Sequence, residues 1–303
     1  MDLSTEVGGI KLRNPLILAS GILGETGKTL ARIIEEGAGA VTTKSIGLEP
    51  RAGHANPTLV ELDYGLLNAM GLPNPGIEGY KEELETVLDT VVPVIGSIFG
   101  KNEVEFAKLA MAMADLGVSA IELNISCPHA EGYGAEIGGD PKMVQKITKA
   151  VKESVNVPVF VKLTPNTADI VALGSAAVAG GCDALVAINT VKGMALSPEL
   201  GKPILSNKFG GYSGPGIKPI GLRCVYELAL ANMDVQIIGV GGITSGKDVV
   251  EYLMAGASAV QIGTAIYSHG VSAFSKINSE LEEFMEKHNY NSINEMVGLA
   301  VKD

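Results

Sequence analysis

In the stretch "ELNISCPHAEGYGAEIGGDP" (122–141), an apolar run, "VSAIELNIS", breaks off at Cys127-Pro128, and glycines and polar residues follow before a helix-like segment begins. A buried cysteine is usually a small apolar filler. One placed where a strand has ended and no helix has begun sits where loops carry chemistry. A thiol, with an ordinary pKa near ~8.5, can be tuned into a base or a nucleophile, and the residues alone leave both open. No neighbouring cysteine and no protease-like His/Asp pattern supports acyl transfer, and no metal-ligand spacing occurs, so zinc catalysis is not expected.

Three further groups could act with Cys127. Lys44 and Lys162 fall at the ends of apolar runs, where a lysine is rarely buried without a partner; an anionic ligand would supply one. Asn68, Asn124 and Asn189, with Thr190 beside the last, offer donors and acceptors that suit the edges of a planar heterocycle. The turns "GVGGITSGKD" and "QIGTAI" put Gly241, Gly242, Gly263 and Thr264 where backbone N–H groups can approach an anion closely. The first turn lacks the Lys-Ser/Thr ending of a nucleotide P-loop and a full GxGxxG. A monophosphate therefore fits better than a dinucleotide.

The elements that must position these groups alternate strictly. Strands are expected near 16–20, 40–45, 93–98, 120–126, 158–164, 184–190, 236–242 and 259–264. Helices are expected over 27–36, 79–91, 102–116, 141–154, 167–180, 217–231, 245–256 and 271–288, with Asn102 and Ser245 as N-caps. Continuous apolar runs, rather than alternation, suit parallel strands buried on both faces. "GAGA", "LGVSA", "GGCDA" and "AGASA" each place glycine where a helix stops and a strand starts. Eight such units predict an α/β fold, a single (β/α)8 TIM barrel over residues 1–303, with a doubly wound sheet as the rival. The barrel is favoured because polar residues close nearly every strand (Ser20, Lys44, Ser97, Asn124, Lys162, Asn189, Gly241, Thr264) and a barrel gathers those ends into one ring. Glycine turns after the last two strands, where barrels often bind phosphate, point the same way. Long interruptions at 46–78 and 191–216, after strands two and six, are expected to cover that mouth.

Composition narrows the partners. The chain has 303 residues, a net charge of −11 and scattered Lys and Arg, which argues against nucleic acid or an anionic membrane. Cys127, Cys182 and Cys224 are odd in number and far apart, so reduced thiols in a cytoplasm are expected. The N-terminal residues do not read as a signal peptide. No apolar run approaches the ~18 residues of a membrane span.

Taken together, "NISCP", "TTKS", "LLNAMGLPNPG", "VKLTPN", "AINTVKGMA", "GGYSGPGIKPIGLR" and "GVGGITSGKD" resemble dihydroorotate dehydrogenase, nearly end to end. The cysteine of "NISCP" resembles the soluble class 1 enzymes rather than the membrane-bound class 2 enzymes, which use serine. "TTKSIGLEPRAG" and "LLNAMGLPNPG" resemble the NAD-linked B-type more than the fumarate-linked A-type. The resemblance implies oxidation of (S)-dihydroorotate to orotate in pyrimidine (UMP) biosynthesis. It implies that Cys127 is the base at C5 and that hydride leaves C6 for FMN. Substrate would be held by Lys44, Asn68, Met70, Gly71, Leu72, Asn124, Asn189 and Thr190. FMN would be held by Ala19, Ser20, Lys44, Ser45, Asn124, Lys162, Ile188, Gly214, Gly241, Gly242, Gly263 and Thr264. It also implies a homodimer within a heterotetramer, the second subunit carrying FAD and a 2Fe–2S cluster. The sequence departs from the family at His129 and Ser97, where Asn is usual, and "GHANPTLVELDYG" lacks the usual GNPxPR run. His129 is read as filling the Asn space rather than as a proton carrier. The competing readings are a related FMN enzyme acting on another pyrimidine, such as dihydrouracil, and a non-redox barrel that binds a phosphorylated metabolite.

Overall fold

A computed structural model of the chain describes residues 1–125 and 137–302. Eight parallel strands close into a barrel in chain order: β1 (Leu16–Leu18), β2 (Ala40–Thr42), β3 (Val94–Ile98), β4 (Ala120–Asn124), β5 (Val159–Leu163), β6 (Ala184–Ala187), β7 (Gln236–Val240) and β8 (Ala257–Ile262). All but β7, whose first residue Gln236 is exposed, are buried throughout save for at most one half-buried residue, which is why their sequences run apolar without alternation. The barrel interior is filled by Ile17, Ile95, Phe160 and Ile238 against small residues such as Ala40, Ala120 and Ala259.

The outer ring comprises α1 (Gly27–Glu35), α2 (Gly76–Leu88), α3 (Glu103–Asp115), α4 (Pro141–Ser154), α5 (Ile170–Ala179), α6 (Lys218–Leu230), α7 (Gly246–Met254) and α8 (Ala273–His288). Asn102 caps α3 by accepting from Glu105 N, and Ser245 caps α7 in a reciprocal box with Asp248, as their spacing predicts. The largest departures from the sequence reading fall in α2, α5 and the last unit. α2 begins at Gly76 and ends at Leu88, so the expected span of 79–91 lies three residues late. α5 begins at Ile170 rather than 167, because the Asp169 side chain accepts from Ala172 N and sets the cap there. The last unit holds a short helix, Ala265–His269, before α8; Gly270, at φ +66°, ends it.

Two features follow no local period. Strands Thr5–Val7 and Ile10–Leu12 form a hairpin at the N-terminus, turning at Gly8-Gly9, and bury Val7 and Leu12 against the barrel interior. The long interruptions are not merely two covers. Strands Leu59–Leu62 and Gly65–Asn68 from the first join Val191–Met194 and Phe209–Ser213 from the second in one four-stranded antiparallel sheet. The seam pairs Gly211 with Asn68. It requires glycine, since a Cβ on Gly211 would lie 2.1 Å from Thr190 Oγ1.

Candidate active site

The C-terminal ends of the strands and the joined insertions enclose a cavity of about 370 Å³, a volume within the range of small-molecule sites. Its wall takes Ala19 and Ser20 after β1, Lys44 and Ser45 after β2, and Asn124 from β4. Lys162 of β5 and Ile188, Asn189 and Thr190 after β6 continue it, and Gly241, Gly242, Gly263 and Thr264 follow β7 and β8. Asn68, Met70, Gly71 and Leu72 from the first insertion and Gly214 from the second complete it. Every residue that the sequence assigned to substrate or FMN therefore lines one cavity, apart from the catalytic candidate. Cys127, with His129 beside it, lies outside the described residues.

The polar groups are already organised. Ser45 Oγ sits 3.1 Å from Ser20 Oγ and 2.9 Å from Ser97 Oγ, and accepts from Asn124 Nδ2 at 3.0 Å. Asn189 Nδ2 donates to Asn124 Oδ1 at 3.3 Å, while Asn189 Oδ1 accepts from the Thr190 N–H at 2.8 Å. Ser97 is not part of the wall; fully buried, it supports Ser45 from beneath. Asn68 Nδ2 donates to Gly211 O at 3.3 Å, which ties the amide to the seam of the insertion sheet.

The two lysines differ. Lys44 is buried and meets the exposed Glu25 carboxylate at 3.2 Å. Lys162 is buried too, and donates to Gln261 Oε1 at 2.8 Å. Gln261 lines the cavity but was not singled out from the sequence, although a glutamine within the apolar run "AVQIG" of a buried strand is a usable signal. Tyr267, Thr244 and Ser213 also line the cavity without having been expected. Thr244 and Ser213 fall within the quoted runs "GVGGITSGKD" and "GGYSGPGIKPIGLR" but were not singled out there, and Tyr267 comes from the short helix.

The glycine end is braced from outside. Asp248 Oδ2 accepts from Thr244 N (2.8 Å), Thr244 Oγ1 (3.0 Å) and Ser245 N (3.0 Å), and Oδ1 pairs with Lys218 Nζ at 2.6 Å. Burial alone would raise the Asp248 carboxyl, but these donors and the Lys218 charge outweigh it and hold it below the usual carboxylate range. A depressed folded-state pKa stabilises the fold above the unfolded value of about 3.9, and the contribution is lost as pH falls through the folded value. Asp248→Ala should lower stability by on the order of 2 kcal/mol at neutral pH. Thermal unfolding followed downward in pH should show the gap to the parent closing in strong acid; an unchanged gap would exclude the carboxylate as its source.

The other thiols do not compete for the base. Cys182 is pushed up to about 12, by burial first and then by the neighbouring Asp183 carboxylate. Burial also raises Cys224, within α6. Among the described residues no group of His, Cys, Asp and Glu is placed to hold a metal ion, and no helix is long and apolar enough to cross a membrane.

The FMN that the sequence resemblance implies fits this donor set. A Cβ on Gly263 would meet only Ala19 Cβ, at 3.6 Å, so the cavity beside that backbone is open to a phosphate. Buried Lys162 and the amides supply a cation and hydrogen-bonding groups for a flat polar ring.

Comparison with known proteins agrees. The family model of dihydroorotate dehydrogenase matches residues 2–285. The chain is 56% identical over 302 residues to the "Dihydroorotate dehydrogenase B (NAD(+)), catalytic subunit" of Methanocaldococcus jannaschii, covering 98% of each chain. It is 54% identical to the protein of that name from Pyrococcus furiosus, covering 100% of both. In fold it resembles the dihydroorotate dehydrogenase of Eimeria tenella solved with ferulenol, with a TM-score of 0.88 over 100% of this chain and 89% of that one, at 21% identity.

Proposed function

The chain belongs to the dihydroorotate dehydrogenase family, and from that premise we propose that it is the catalytic subunit of an NAD-linked, B-type enzyme. In this reading one barrel domain over residues 1–303 oxidises (S)-dihydroorotate to orotate in pyrimidine biosynthesis. The single observation that carries it is the convergence of the motif-derived residues, from every strand end but that of β3, on one cavity. The names of the relatives, NAD(+)-linked catalytic subunits at 54–56% identity over nearly whole chains, support the B-type assignment.

The chemistry divides among the residues as follows. Asn68, Asn124 and Asn189 present amides to the pyrimidine ring, and Thr190 and the backbone of Met70 to Leu72 close its far side. Lys44 supplies a positive charge for the substrate carboxylate once its exposed partner Glu25 yields. Cys127 takes the proton from C5, and its departure with hydride from C6 leaves the C5–C6 double bond of orotate. A bound FMN supplies the hydride acceptor. Gly241, Gly242, Gly263 and Thr264, which line the cavity, would hold its phosphate, and Ala19, Ser20, Ser45, Ile188 and Gly214 would surround the rest. Lys162 offers the cation that favours negative charge on the reduced ring.

The direct test is the visible spectrum of the purified chain. A flavin spectrum that bleaches anaerobically with dihydroorotate, and not with dihydrouracil, is expected. A colourless protein, or a flavin that dihydroorotate leaves oxidised, would overturn the reading.

The electrons must leave by another route than this chain. The sequence holds no full GxGxxG after a strand and no cysteine cluster for an iron–sulfur centre. The expected assembly is a homodimer that recruits two subunits carrying FAD and a 2Fe–2S cluster near the open side of the barrel mouth. The isolated chain should therefore reduce an artificial dye with dihydroorotate but not NAD, and adding the partner subunit should restore NAD reduction. NAD reduction by the single chain at a comparable rate would contradict this. Efficient fumarate reduction would move the protein to the A-type.

A further inference from the structure

Beneath the cavity, strand β4 carries a carboxylate that the proposed reaction does not use. Glu122 is fully buried, as is the residue on either side of it. Its Oε2 accepts from Gln261 Nε2 at 2.5 Å. Its Oε1 has no hydrogen-bond partner and faces Lys162 Nζ at 3.7 Å. Gln261 links the two charges, since its amide oxygen accepts from the same Lys162 Nζ at 2.8 Å. Lys162 and Gln261 reach the cavity, whereas Glu122 does not.

A wholly buried carboxylate with one unbonded oxygen is costly, and it persists when a partner charge repays the burial. Apolar residues of the same size would fill the space more cheaply. The geometry points to a counter-charge: we propose that Glu122 is an ionised positioning residue that, with Gln261 as bridge, fixes and partly neutralises Lys162. By doing so it lowers the reduction potential of the flavin that Lys162 contacts. The inference rests on the reading that FMN binds with its ring beside Lys162. The sign follows from Coulomb's law. Reduction adds negative charge to the ring, Lys162 favours that charge, and a fixed carboxylate behind the lysine opposes it in a low-dielectric interior. The flavin is then a weaker electron acceptor and a better donor to a nicotinamide-level route.

Glu122→Gln tests this, because it keeps the shape and removes the charge. The holoprotein, titrated anaerobically against a reference dye, should show its flavin potential moved in the positive direction, whereas Glu122→Asp should stay nearer the parent. An unchanged or more negative potential in E122Q overturns the proposal, since a purely structural side chain or a protonated Glu122 would give that result. If the parent chain itself holds no flavin, the functional reading fails instead.

The charge pairing can be tested without flavin or activity. In the apoprotein, Lys162→Met should leave Glu122 stranded and lower the melting temperature. The double variant E122Q/K162M should recover part of that loss. A double variant no more stable than K162M would show that the carboxylate carries no buried charge. This second arm also decides the matter should E122Q alone yield no flavoprotein.

Discussion

Cys127→Ala is expected to retain its FMN and to be reduced by dihydroorotate about 10²–10⁴-fold more slowly than the parent, the usual contribution of a general base. The retained flavin matters as much as the lost rate, because Cys127 is assigned to the substrate and not to the cofactor. Rapid mixing under anaerobic conditions separates the two by following flavin bleaching directly. Cys127→Ser should regain little at neutral pH, since an alcohol is a far weaker acid than a thiol and needs further help to act as a base. In the parent, the reduction rate should rise with pH as the thiol ionises. Cys182→Ala and Cys224→Ala provide the controls. Both thiols are buried, with their ionisation suppressed, and belong to the outer ring of helices and its loops, so turnover should be nearly unchanged. Reduction of C127A at the parent rate would remove this residue from the mechanism.

The second large effect concerns the glycine turns. Gly242 has φ +69°, and a Cβ there would lie 2.8 Å from both Gly214 O and Lys218 Cβ. Gly242→Leu should therefore yield mostly apoprotein, but through two causes at once, a displaced turn and a blocked anion site. Gly263→Val separates them. Its Cβ would touch only Ala19, so the scaffold is spared and the side chain enters the space assigned to the phosphate. The melting temperature of apo G263V should match the parent apoprotein within a shift worth about 0.5 kcal/mol, while FMN affinity falls by at least about tenfold. Flavin titration of the two apoproteins measures it, and a full flavin complement in G263V would refute the phosphate assignment.

Much of this was legible in the sequence because a (β/α)8 barrel repeats a local rule. Each buried parallel strand must be apolar along its length, each helix must end where the chain turns back, and each strand end must be polar if the mouth is to bind anything. "VPVFVKLTPN" states all but the helix in ten residues, and the order of eight such units fixes which ends meet. Lys44, Lys162, the three asparagines and the glycine turns could be named as one site on those grounds, and they line one cavity.

Other features have no local signal. Asn68 and Gly211 lie 143 residues apart, and nothing in either insertion announces that a strand of one will pair with a strand of the other. The closed barrel sets their bases on opposite sides of one mouth, since β2 and β6 lie four strands apart in the ring, and the unpaired backbone groups of the two insertions find each other as partners only where the chains meet across it. The N-terminal hairpin is three residues to a strand, too short for periodicity to show, and is fixed by the open end of the barrel that Val7 and Leu12 cover. Ser97, Glu122 and Gln261 are buried polar residues in mostly apolar strands, and the sequence marks them as odd without saying what they touch. Their partners Ser45, just past β2, and Lys162, in β5, come from other units, so the hydrogen bonds exist only where the barrel's closure points those side chains inward together. Local periodicity determines the backbone here, and closure of the ring decides which buried polar groups meet.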